Sequence, residues 1–178
     1  FLAWPGNNWM QGLLVKNNMG YYYPFDSGGR NFDISSERCT SGDVTGNYFA
    51  GGVAVKNYSC SAVNIHDNTL FGKIQGIDIS SNNTISSTPP TGLKTFIRPN
   101  KYESGRANIV IYNWDKQSSV SVDLSLSGLN IGDQFQIKDA QNFYGNPVVS
   151  GTYSGGSVSI PMTGFTVARP VGNVLIIP

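Results

Sequence analysis

Few side chains in this sequence do chemistry near neutral pH. His66 is the only histidine in 178 residues, and of eleven acids only Glu37 and Glu103 are glutamates. Histidine is the side chain whose unperturbed pKa lies near neutrality, so a general-base reading starts there. Asp67 follows His66 directly. Asp43 becomes its neighbour once the chain is stacked on the repeat described below. Asp43, His66 and Asp67 are therefore the candidate catalytic set, with His66 as the base. The plainer expectation is an exposed strand histidine packed beside Thr45 and Lys16. No acid cluster resembles a Ca²⁺ site, and no His or acid repeats beside both cysteines at metal spacing, so neither a metal nor a cofactor is expected.

A second set of candidates is aromatic. Tyr21, Tyr22, Tyr23 and Phe25 lie in one short stretch with Asp26 and Arg30, and Trp4 and Trp9 precede it. Flat aromatic faces suit the C–H faces of sugar rings, and polar neighbours fix the hydroxyls. Trp4, Trp9, Tyr21, Tyr22, Tyr23 and Arg30 are the candidate substrate-binding residues. The competing expectation is that these aromatics seal the open end of a repeat structure.

What positions these residues is an internal repeat. Residues 31–51 slide onto 52–72, 21 residues on. Phe32 falls on Val53, Ile34 on Val55, Cys39 on Cys60, Val44 on Ile65, Asn47 on Asn68, Phe49 on Leu70 and Gly51 on Gly72. Val-Thr-Gly-Asn (44–47) and Ile-His-Asp-Asn (65–68) are one pattern, and Val-Lys-Asn-Asn (15–18) repeats it earlier at a spacing of 29. The difference is an eight-residue insertion at 21–28. Ile74 continues the register from Val53, and the pattern dissolves at 86–92. Short β-branched segments at this period predict strands stacked at roughly 4.8 Å. Lys16, Thr45 and His66 then form one outward column, and Leu14, Asp43 and Asn64 the next. Cys39 and Cys60 come to about 5 Å between Cα atoms, close enough for a disulfide and equally consistent with a reduced, buried stack.

The repeat resembles the right-handed parallel β-helix proteins of the pectate-lyase-like class, over residues 1–85. That resemblance implies an inward ladder of asparagines, matched here by Asn18, Asn47 and Asn68. The Asp-Asp, Gly-His-Gly and Arg-x-Lys signatures of the polygalacturonases in that class are absent.

Beyond Thr88-Pro89-Pro90-Thr91-Gly92 the pattern changes. Short alternating runs at 96–98, 107–114, 119–126, 134–138, 147–153, 157–162 and 174–177 are separated by Gly- and Asn-rich turns, which predicts an antiparallel β-sandwich. Trp114, Tyr112 and Tyr144 are expected in its core or corners. The stretches 96–114, 132–142 and 147–153 resemble the terminal β-sandwich appended to secreted bacterial β-helix proteins and some glycoside hydrolases. The expected architecture is all-β: a short right-handed parallel β-helix of three to four coils over 1–88, then a β-sandwich over 93–178. With no initiator Met and a start within the repeat, the chain reads as the C-terminal portion of such a protein.

Composition narrows the function. A net charge of +1 offers no basic stripe for phosphates, so no nucleic-acid partner is expected. No apolar run spans a membrane. The expected partner is a polysaccharide, with upstream coils or a second chain at the open end as a further partner, and the expected location is extracellular. Three functions follow: a carbohydrate-binding or accessory piece of a polysaccharide-active protein, a polysaccharide lyase or glycoside hydrolase using Asp43, His66 and Asp67, or a structural, adhesive fragment.

Overall fold

The computed structural model describes residues 2–3, 9–22, 25, 28–34, 38–58, 60–76, 79 and 82–165. Trp4 and Tyr23 lie outside them, as does the strand expected at 174–177. The chain is all-β; among the described residues there is no α-helix. These residues fall into two compact units, one up to Pro90 and one from Thr91 onward.

The first unit is built from β1 (Leu2–Ala3), β2 (Leu13–Lys16), β3 (Met19–Tyr21), β4 (Arg30–Ile34), β5 (Gly42–Thr45), β6 (Tyr48–Asn57), β7 (Val63–His66), β8 (Thr69–Gly76) and β9 (Thr84–Ser86). Strands β2, β5 and β7 form one parallel sheet. A second parallel sheet runs β1-β4-β6-β8-β9, with β3 also on β6. Alternation along the strands sets what faces in. On β7, Val63 and Ile65 are buried while Asn64 is exposed. Val15, Val44, Val63 and Ile65 pack with Phe32, Ile34, Phe49, Val55 and Leu70 in one core. Each fully buried side chain of this size contributes roughly 1.5–3 kcal/mol.

Val44 pairs with Ile65 and Phe49 with Leu70, both at the expected offset. Two expected pairings are corrected. Phe32 stands opposite Val55, not Val53, and Ile34 opposite Asn57, not Val55. Tyr21 pairs with Ala50, 29 residues on, whereas Arg30 pairs with Val53, 23 on. The insertion therefore loops out six residues rather than eight. The remaining two are absorbed before Cys39, which regains the offset of 21. Ile74 likewise stands opposite Val55, because the β6–β8 ladder shifts register between Ala50 and Val55. Gly51 and Gly72 sit at this bend with φ of 109° and 132°. A Cβ on Gly72 would lie 3.0 Å from the carbonyl oxygens of Gly51 and Gly52, so the close approach excludes a side chain there.

A left-handed residue turns the chain from the first sheet to the second at Asn17, Gly46 and Asp67, and a fourth, Asn82, precedes β9, with φ of 54° to 65°. Asn, Asp and Gly tolerate this conformation better than other residues. An asparagine follows each one. The side-chain amide of Asn18 donates to Asn47 Oδ1 at 3.1 Å, Asn47 to Asn68 at 2.9 Å, and Asn68 to Asn83 at 2.9 Å. Each also sends its backbone N–H to the same oxygen. Asn83 is a fourth rung, 15 residues after Asn68, off the period of 21. Cys39 and Cys60 are joined by a disulfide with Cα atoms 5.8 Å apart.

The second unit holds β10 (Leu93–Pro99), β11 (Ala107–Asn113), β12 (Ser119–Asp123), β13 (Gln134–Ile137), β14 (Val149–Thr152) and β15 (Ser157–Pro161). They pair as three antiparallel ladders, β10–β11, β12–β15 and β13–β14. Val120, Val122, Leu124, Tyr153 and Ile160 are buried at the centre. Tyr112 stacks on Trp114, ring centroids 5.3 Å apart, and both are half-buried. The expectation for Tyr144 is overturned: it is 97% exposed. It follows the half-exposed Phe143 in the turn between β13 and β14, and neither ring reaches the core.

Candidate functional site

Two places in the first unit collect the candidate residues. The first is the outer face of β2-β5-β7. Because Val44 and Ile65 point inward, Asp43 and His66 point outward, and pairing of Thr45 with His66 makes Asp43 the diagonal neighbour. His66 Nε2 lies 2.8 Å from Asp43 Oδ1. Its Nδ1 lies 2.7 Å from Asp67 Oδ2, which the left-handed corner at Asp67 turns back toward the ring. Only the doubly protonated imidazolium donates at both nitrogens. The hydrogen bond to Asp67, then that to Asp43, accordingly hold the His66 pKa above its ordinary 6.5. With both bonds in place neither nitrogen is open to a substrate. To act as a base, His66 must lose its proton and release one acid. Asp67 is mostly exposed and Asp43 half-exposed, so such release costs little burial. The two carboxylates lie at opposite ring nitrogens, and among the described residues no three ligand side chains are placed to share a metal ion.

The second place is a cleft of about 370 Å³ lined by Val15, Asn18, Met19, Tyr21, Tyr22, Arg30, Asn31 and Phe49, with Gly20 in its wall. The insertion creates it, since β3 and β4 cover different halves of β6 with the loop between them. Phe49 stacks on Phe32 beneath, centroids 6.3 Å apart. Asn31 Nδ2 donates to the carbonyls of Ala50 and Gly51 at 3.0 and 3.1 Å, which fixes the bend opposite the loop. Tyr22 is anchored by its N–H to Ala50 O at 2.8 Å. Arg30 Nη1 binds Asp33 Oδ2 at 2.6 Å, and Lys56 approaches the same oxygen at 3.9 Å. Asp33 is buried, so these two cations compensate a charge that water does not reach.

Three of the six aromatic and basic candidates thus converge: Tyr21, Tyr22 and Arg30. Trp9 is exposed and does not line the cleft. Asn18 and Asn31, which add amide groups to the wall, were legible only as a ladder residue and an unassigned polar one. No family model, curated protein or solved structure matches this chain.

Proposed function

We propose that the first unit is a short right-handed parallel β-helix, the second a β-sandwich, and the whole an extracellular, glycan-recognising part of a polysaccharide-active protein. The cleft carries the reading. Two tyrosines and an arginine meet over an apolar floor, the mixture that packs a sugar ring and fixes its hydroxyls. The all-parallel ladders and the asparagine column support the β-helix. The disulfide between neighbouring rows suits an oxidising compartment. A glycan array probed with the chain and with Tyr22→Ala tests the idea, with melting curves as the folding control. Binding weakened at least about tenfold by the substitution is expected for an aromatic contact. The idea is overturned if no glycan binds, or if none of the bound glycans loses affinity in a folded Tyr22→Ala protein.

The meeting of Asp43, His66 and Asp67 supports a second reading, a lyase or glycoside hydrolase in which deprotonated His66 is the base. Release of reducing ends from acidic polysaccharides, compared with His66→Ala, decides it. Equal activity in the variant removes its basis.

A further inference from the structure

The second unit leaves an unusual amount of aromatic surface in water. Tyr144 is 97% and Tyr102 90% exposed, and Phe143 is half-exposed. They occupy two loops that meet. The β10–β11 turn carries Lys101, Tyr102, Glu103 and Arg106. The loop after β13 carries Lys138, Phe143 and Tyr144. Arg106 joins them, its guanidinium carbon 5.3 Å from the Phe143 ring centroid, with Lys138 Nζ at 5.5 Å from the same ring. Tyr144 stands edge-on to Phe143 at 5.6 Å. Lys101 Nζ lies 5.7 Å from the Tyr102 ring. A core has no use for these rings, and clustered exposed apolar surface marks a contact site.

Both loops are held. Asn100 N–H donates to Arg106 O at 2.7 Å, and Tyr102 N–H to Asn100 Oδ1 at 2.8 Å. Asp139 accepts from Gln141 N–H at 2.9 Å, and Gly145 N–H donates to Asn142 O at 2.9 Å. The rings are therefore presented on fixed backbone rather than on a floppy tip.

We propose that this face binds acidic polysaccharide. A uronate ring offers a C–H face to a tyrosine and a carboxylate to Arg106, Lys138 or Lys101, and the patch supplies both partners within one short span. Glu103, paired with Arg106 at 2.8 Å, and Asp139 temper the positive charge. Lys101, Arg106 and Lys138 against these two acids leave the patch a small positive excess for a ring carboxylate to meet. Single-stranded nucleic acid also pairs stacking with charge, and the oligo-dT arm of the test separates it from a uronate polymer. The site is independent of the cleft in the first unit.

Calorimetric titration of the full chain with polygalacturonate tests it, alongside the methyl-esterified polymer and oligo-dT. Polygalacturonate should bind, and binding should fall about tenfold or more in Tyr144→Ala, in Lys138→Ala and on methyl esterification. It should also weaken with salt. Tyr144 is almost fully exposed, so its truncation leaves the fold intact. Leu126→Ala, at an exposed apolar residue outside both proposed sites, should have no effect. The proposal is overturned by absence of binding, by equal affinity in Tyr144→Ala and Lys138→Ala, or by oligo-dT binding as tightly. Loss in Tyr22→Ala with Tyr144→Ala unaffected would assign the polymer to the cleft instead.

Discussion

Asn47 is the most demanding test of how the first unit is held together. It is 2% exposed. Its side-chain amide donates to Val15 O and to Asn68 Oδ1, both at 2.9 Å. Its oxygen accepts the Asn18 backbone N–H at 2.8 Å and side-chain amide at 3.1 Å. Replacement by alanine deletes four hydrogen bonds, each worth about 0.5–1.5 kcal/mol net, and strands the Asn18 N–H. The expected cost is about 4 kcal/mol. Asn18 at the end of the column donates from its side chain only to Lys16 O at 3.2 Å and to Asn47, in a partly exposed setting. Asn18→Ala should cost about 1 kcal/mol. The roughly 3 kcal/mol between them is more than a hundredfold in local opening. Native-state hydrogen exchange at the amides of β5 to β8 reads this unit without interference from the second. Asn47→Asp adds a further arm. It keeps the two contacts from Asn18 but turns an acceptor toward Val15 O and Asn68 Oδ1. Its carboxyl therefore has a folded pKa above the unfolded one, and the variant regains stability relative to wild type as pH falls. Equal costs for Asn47→Ala and Asn18→Ala, or an Asn47→Asp chain indifferent to pH, would refute the ladder as a stabilising element.

Removing the Cys39–Cys60 bridge opens a loop of 21 residues and should lower stability by about 3 kcal/mol, seen as a lower urea midpoint in reducing buffer; an unmoved midpoint contradicts this. Phe32→Ala, at a fully buried ring, should cost about 3–5 kcal/mol in the same assay, and a loss under 1 kcal/mol means the site has collapsed around the change. His66 has a folded pKa above its unfolded one, so its bonds stabilise the fold fully below about pH 6.5 and that contribution is lost as pH rises through the folded value. An NMR titration of this single imidazole should give a midpoint above that of the urea-unfolded chain, lowered more by Asp67→Asn than by Asp43→Asn; a midpoint at or below the unfolded value refutes the double clip.

Much of the first unit was legible because a parallel stack copies one row onto the next. Side-chain direction alternates with a period of two, so Val44 over Ile65 also states that Asp43 and His66 face outward together. Asp67 was legible as the residue after His66, but not as closing on the far side of its ring, because a left-handed φ has no apolar period to announce it. Two things broke the copy. The insertion changed the offset between β4 and β6, which a rigid shift of 21 cannot express. The shortened return from Asn68 to Asn83 hid the last rung of the ladder.

The second unit was less transparent. Its alternating runs located the strands, since Val120 and Val122 bury while Ser119, Ser121 and Asp123 do not. Which strand joins which was not written there. Antiparallel pairing of β12 with β15 spans nearly forty residues, and no local residue encodes a contact that distant. Nor did the sequence separate Tyr153, buried at the centre, from Tyr144, bare in a turn. By itself the sequence determined the all-β class, the period, the outward pairing of Asp43 with His66 and the approach of the two cysteines, because each follows from short-range alternation repeated along the chain. Tertiary structure alone decided that Tyr21, Tyr22 and Arg30 share a cleft and that Arg106 meets Phe143. Those contacts depend on how loops close over strands, and loop closure has no period to read.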